Sequence, residues 1–179
     1  RSCSEFVKFI KQFSMTKFLI VGLGNIGSEY AHTRHNIGFD VVTAFVLKHG
    51  GSFINARLAE VAEVKWKGKI FVCIKPTTYM NLSGKAFRYW MEKEKVPLEN
   101  TLTIVDDIAI PVNKLRLRPA GSSGGHNGLT DIELMLGTDK YPKLRFGIGG
   151  NFPKGMQVEY VLGKWFPEEL DLIKNKIDG

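Results

Sequence analysis

The sequence predicts one α/β domain built on a mixed, twisted β-sheet with helices on both faces. Short apolar runs alternate along the chain with segments whose apolar residues recur at helical spacing. Two neighbouring runs are separated only by Lys67-Gly68, a hairpin signal, so at least one strand pair is antiparallel. A chain of 179 residues with 44% hydrophobic content also suits a single core.

Residues 1–14 mix Phe6, Val7, Ile10 and Phe13 with Lys8, Lys11 and Gln12, too broken for a signal-peptide core. They read as an N-terminal extension or an expression remnant, Glu5 and the short length counting against a transit peptide, and the domain is expected over 15–179. Lys17–Val21, ending at Gly22, predicts a buried first strand. After a polar stretch, Ile37, Val41 and Phe45 mark a helix stopped by Gly50-Gly51. Ala62, Val64 and Trp66 alternate with Glu63 and Lys65, the first arm of the hairpin, and Lys69–Ile74 forms the second. Pro76 ends it and opens the loop Thr77–Asn81, after which Phe87, Trp90 and Met91 mark a second helix. Thr101–Val105 is a strand ending at Asp106. In the next strand Lys114, Arg116 and Arg118 share one face. The glycine-rich loop Pro119–Asn127 precedes a helix marked by Leu129, Ile132 and Leu136. Leu144–Ile148 reads as a strand and Glu168–Lys176 as a terminal helix.

Several function classes fall away. No run approaches the ~18 apolar residues of a membrane span. The cysteines, Cys3 and Cys73, stand in unrelated contexts, which excludes a disulfide framework or zinc knuckle and fits a reducing cytosol. The net charge of +7 suits a polyanionic partner, although many basic proteins carry such charge for solubility alone. Gly22-x-Gly24-x-x-Gly27 copies a dinucleotide fingerprint, but Ser28–His35 shows no helical stripe and Gly51–Asn55 has no carboxylate. A glycine turn that lets other side chains converge is the better reading, with a nucleotide-cofactor enzyme as the remote one.

What remains are polar clusters at strand ends: Asn25, Tyr30 with His35-Asn36, Tyr79-Met80-Asn81, Asp106-Asp107 and Gly124-Gly125-His126-Asn127. In open α/β sheets, sites form beyond the carboxyl ends of strands. A histidine backed by a carboxylate can activate water, and asparagine amides can donate to an oxyanion. Each residue also has a plain structural reading: a loop histidine at the surface, Asp106 or Asp107 as a turn former, Asn127 as a helix cap.

Four strings carry a resemblance: Val21–Tyr30 (VGLGNIGSEY), Thr33–Phe39 (TRHNIGF), Lys75–Gly84 (KPTTYMNLSG) and Gly124–Leu129 (GGHNGL). In order and spacing they resemble the bacterial-type peptidyl-tRNA hydrolase family, over about Lys17 to Trp165. The resemblance implies hydrolysis of the ester between peptide and tRNA, without cofactor or metal, by a cytoplasmic monomer. It implies His35 as general base, Asp106 as its orienting carboxylate, Asn25 and Asn81 at the catalytic centre, and Asn127 placing water or substrate. Tyr30 would meet the terminal nucleotide, Tyr79 and Met80 the peptide groove, and Arg118 with Arg145 the tRNA 5′ phosphate. Lys114, Arg116, Lys143 and Lys164 would extend that cationic patch. The chain departs from the family at Asp107, where a Glu is common, at Tyr79, where a Phe is common, and at Arg118, where a lysine is common. Its early end after Trp165 raises the expectation of a shortened C-terminal tail. The second reading is a catalytically silent, splicing-factor-like RNA-binding protein on the same scaffold.

Overall fold

The computed structural model describes Glu5 and residues 15–179; the extension expected over 1–14 otherwise lies outside the described residues. Among the described residues seven strands form one sheet in the order β2-β3-β4-β1-β5-β7-β6. The strands are β1 (Thr16–Gly22), β2 (Ile54–Ala56), β3 (Ala59–Trp66), β4 (Lys69–Pro76), β5 (Thr101–Asp107), β6 (Leu115–Arg118) and β7 (Lys143–Gly147). β4, β1, β5 and β7 run parallel. β2 and β3 at one edge and β6 at the other pair antiparallel, so the sheet is mixed as expected. The hairpin joining β3 to β4 turns on Lys67 (φ 47°) and Gly68 (φ 73°). Two successive positive φ angles match the right-handed twist of the paired strands.

Among residues 15–179 the α-helices are α1 (Ile37–Lys48), α2 (Ser83–Lys93), α3 (Asn127–Leu136), α4 (Gln157–Val161) and α5 (Pro167–Asp178). Alternation along the strands explains why they cover both faces. Leu19 and Val21 of β1 point to one side with Val72, Ile74 and Val105, and there Phe87 and Trp90 of α2 and Leu129 and Ile132 of α3 bury them. Ile20, Cys73 and Ile104 point to the other side, against Val42 and Val46 of α1. A third apolar group joins Ile37 and Phe146 to Tyr160 of α4, Trp165 and Ile173 of α5.

One expectation needs correction. Lys143 is 1% exposed rather than part of a surface patch. Its ammonium donates to the carbonyls of Asp139 (2.8 Å) and Tyr141 (3.1 Å) and lies 3.6 Å from the Tyr141 ring centroid. Burial depresses its pKa, the opposing pull of the Glu133 carboxylate notwithstanding. In β6, Arg116 and Arg118 share one face and Leu115 and Leu117 the other, all four exposed, while Lys114 lies just before the strand. β6 is an edge strand, and its charges help to guard that edge against pairing.

Candidate active site

The parallel strands end together at Gly22, Pro76, Asp107 and Gly147, and the polar clusters gather beyond those ends. The glycine turn after β1 is a packing device. A Cβ on Gly22 would lie 2.2 Å from the Gly38 carbonyl oxygen, and one on Gly24 would lie 2.9 Å from the Phe39 ring. The turn leads into a short 3-10 segment, Ser28–Tyr30, rather than a helix aimed at a phosphate. The close approach instead brings Asn25 against Asn36. Asn25 N–H donates to Asn36 Oδ1 (2.8 Å), and Asn36 Nδ2 donates to the Asn25 carbonyl (2.9 Å). Asn25 Oδ1 accepts the Met80 N–H at 2.8 Å, which locks the turn after β1 to the loop after β4. The amide is thereby oriented, with its Nδ2 left to donate elsewhere.

His35 sits on a 3-10 turn, Arg34–Asn36, that leads directly into α1. Its Nδ1 lies 2.9 Å from both carboxylate oxygens of Asp106, the penultimate residue of β5. Asp107 faces away: its Oδ1 accepts the Ala109 N–H (2.8 Å) in a turn, and its Oδ2 meets Arg145 at 3.4 Å. Between the two acids, the geometry therefore pairs His35 with Asp106. The Asp106 side chain is 3% exposed, so an ionised carboxylate there requires donors. Burial would raise its pKa, but attraction to His126 and His35 and the hydrogen bond from each hold it well below the usual carboxylate range.

His126 is the partner that sequence reasoning singled out in a cluster without giving it a role. Its Nε2 lies 2.8 Å from Asp106 Oδ1, and its ring is 5.0 Å from that of His35. Its Nδ1 accepts backbone N–H groups from Gly128 (3.1 Å) and Leu129 (3.4 Å), so His126, not Asn127, caps α3. An accepting Nδ1 carries no proton; the proton therefore sits on Nε2 and is donated to Asp106. A histidine at a cap position lacks the usual Ser, Thr, Asp or Asn signal. The available cue was its place shortly before the apolar stripe that starts at Leu129.

His35, Asp106 and His126 also form a cluster whose ligand atoms lie within 4.8 Å of one another. The donor set fits a metal poorly, because Nε2 of His126 would have to exchange its proton for the ion. Nδ1 would then need that proton while facing two backbone donors.

A cavity opens beside this triad. His35, Asp106, Asp107, His126, Asn127 and Arg145 line it, with the loop Ser123–Gly125 and with Gln157, Val158 and Val161 of α4. Arg145 Nη2 donates to the Ser122 carbonyl at 2.6 Å, which ties the glycine loop to β7. Asn25, Asn81, Met80, Tyr30, Tyr79 and Arg118 do not line that cavity. Asn81 and the 56%-exposed Tyr79 project from the loop after β4, and Met80 beside them is buried. Arg118 is exposed on β6, its Nη1 on its neighbour's carbonyl.

The profile of a family described as peptidyl-tRNA hydrolase matches residues 19–179. The chain belongs to that family. It is 54% identical over 162 residues to the peptidyl-tRNA hydrolase of Parabacteroides distasonis, covering 90% of this chain and 87% of the relative. With that of Cytophaga hutchinsonii it is 56% identical over 153 residues, 86% and 81% of the two chains. The solved structure of the Acinetobacter baumannii peptidyl-tRNA hydrolase superposes with a TM-score of 0.86 at 35% identity, over 92% of this chain and 85% of the other. A family structure in complex with N-propanol gives the same TM-score over 92% and 86%. The matched span includes all the polar clusters at the strand ends, and the shared fold is the mixed α/β sheet expected from the sequence.

Proposed function

We propose that this chain hydrolyses the ester linking a peptide to tRNA, with His35 as general base. The observation that carries this reading is the His35–Asp106 pair at the strand ends, 2.9 Å apart and lining one cavity. Asp106 accepts the proton on Nδ1, which leaves Nε2 as a lone-pair acceptor. Nε2 takes a proton from water as the water oxygen bonds to the ester carbonyl carbon. When the tetrahedral intermediate collapses, the bond to the ribose oxygen breaks and that oxygen receives the proton. Free peptide and tRNA leave. A ribose alkoxide departs more readily than an amide nitrogen, so one base suffices without a covalent intermediate.

His126 gives Asp106 a second donor, keeping it ionised and correctly turned when His35 becomes positive. The Asn25 amide, held by Met80 N–H, and the exposed amides of Asn81 and Asn127 are the donors for the oxyanion and the substrate. Tyr30 is assigned to the terminal nucleotide and Tyr79 with Met80 to the peptide side. Arg118 and Arg145 are assigned to tRNA phosphate, with Lys114, Arg116 and Lys164 extending the patch; Lys143 drops out because it is buried. The enzyme is taken to act as a monomer in the cytoplasm, in keeping with its cysteine usage; among the described residues no helix is long and apolar enough to cross a membrane.

Nothing in the site or the comparisons favours the catalytically silent RNA-binding reading. Incubation with N-acetyl-aminoacyl-tRNA and with unblocked aminoacyl-tRNA separates the two. Cleavage of the blocked substrate alone is expected; salt-sensitive binding without cleavage would instead establish the RNA-binding reading.

A further inference from the structure

The 3-10 turn that carries His35 sends three successive side chains to three destinations. His35 goes to Asp106 and Asn36 to Asn25, while Arg34 turns to the C-terminal part of the chain. Arg34 is 2% exposed. Its Nη1 donates to the Tyr160 carbonyl of α4 (3.1 Å) and its Nη2 to Glu169 Oε1 of α5 (3.2 Å). Its guanidinium carbon lies 4.1 Å from the Tyr160 ring centroid, 4.6 Å from Phe166 and 5.5 Å from Trp165. The backbone joins in: Arg34 N–H donates to the Gly163 carbonyl (3.0 Å), and Thr33 pairs with Lys164.

Stability is a poor explanation for this arrangement. Arg34 Nε is buried without a hydrogen-bond partner, and a buried ion pair commonly does no better than apolar residues of similar volume. What a guanidinium supplies is geometry: a rigid planar fork that stacks on rings while donating in two fixed directions. Both directions end on the segment whose α4 residues Gln157, Val158 and Val161 line the cavity beside His35. The hydrolytic steps themselves use none of these contacts.

We infer that Arg34 is a positioning residue for the hydrolysis, locking the His35 turn to residues 160–169 so that the base and the α4 wall of its cavity keep one fixed relation. This rests on the reading of His35 as base. Loss of the lock lets the imidazole drift relative to Asp106 and to the bound ester, and a displacement near 1 Å costs on the order of 100-fold in rate. The arginines assigned to tRNA phosphate, Arg118 and Arg145, lie on β6 and β7 rather than on the locked segment, so binding should change little.

The test uses Arg34→Lys, which keeps the charge and loses the planar fork, and Glu169→Gln, which keeps the side-chain shape. For each, thermal unfolding, kcat and KM on N-acetyl-aminoacyl-tRNA, and the downfield NMR resonance of the His35 Nδ1 proton (assigned by its loss in His35→Ala) are measured. Arg34→Lys is expected to lower kcat about 10- to 100-fold with KM within about threefold, and to shift or broaden that resonance well below the melting temperature. Glu169→Gln is expected to move both readouts the same way by less, and the double variant to be no worse than Arg34→Lys alone. A lower melting temperature with wild-type kcat and an unchanged resonance would overturn the inference, as would a change in KM alone. Should Arg34→Lys fail to fold, Glu169→Gln decides by the same two readouts. Turnover retained by His35→Ala would defeat the base reading separately, since the resonance reports the position of the ring whatever its role.

Discussion

Replacing Asp106 by Asn should cripple turnover by turning the His35 tautomer around rather than by removing the ring. The carboxylate accepts from His126 Nε2 at 2.8 Å and from His35 Nδ1 at 2.9 Å, and the structure fixes which of these an amide can keep. His126 cannot change tautomer without presenting a proton to the N–H groups of Gly128 and Leu129. It must remain a donor, so the single oxygen of the introduced amide goes to His126 and the NH2 faces His35. Nδ1 of His35 then has to offer a lone pair, and the proton moves to Nε2, the atom that should receive it from water. The loss is the worth of a general base, about 100- to 10,000-fold in kcat, or about 3–5 kcal/mol of transition-state stabilisation. Substrate binding should change little. Single-turnover hydrolysis of N-acetyl-aminoacyl-tRNA, beside tRNA binding on the same sample, reads both quantities. A variant within about threefold of wild-type kcat would refute the tautomer argument and with it the orienting role of Asp106.

The same substitution should change the pH dependence of stability, because the folded carboxyl titrates below its unfolded value. Such a group stabilises the fold above the unfolded value near pH 4, and that contribution is lost as pH falls through the folded pKa. Wild-type unfolding free energy should therefore fall more steeply below about pH 4 than that of Asp106→Asn, measured by denaturant titration; parallel profiles would contradict this. His126→Asn keeps a capping oxygen for α3 but removes the donor to Asp106; kcat should drop about 10-fold with the melting temperature nearly unchanged, and a purely thermal effect would leave His126 as a cap only. Arg118→Ala and Arg145→Ala should weaken tRNA binding and each reduce the salt slope by about 1, and an unchanged slope would move the phosphate footprint elsewhere. Gly38→Ala forces a Cβ to 2.5 Å from the Ile104 carbonyl oxygen and the Leu23 amide, so it should cost about 1–3 kcal/mol in chemical denaturation; a neutral result would mean that α1 can lift off β1 freely.

The parts of the fold that were legible in the sequence are those whose burial follows a simple period. Lys17–Val21 and Thr101–Val105 read as strands because both their faces are covered, and Lys67-Gly68 announced its hairpin because few residues accept positive φ. The three-residue β2, with every residue exposed, and the five-residue α4 are too short to show any period. Burial of Lys143 and Arg34 was equally invisible, since cations are rarely interior and only the tertiary partners make it tolerable. In the site, His35 and Asp106 were readable as types at strand ends, whereas their pairing across 71 positions is a product of the β1–β5 register. The role of His126 depends on a cap and a carboxylate meeting at one ring, which no local pattern encodes.

The most direct test of the account is single-turnover hydrolysis of N-acetyl-aminoacyl-tRNA by His35→Ala, with tRNA affinity and melting temperature measured on the same preparation. Hydrolysis reduced by at least about 100-fold, with affinity and fold retained, is the predicted result. Turnover near the wild-type rate from a folded, tRNA-binding variant would contradict the assignment of His35 as the base.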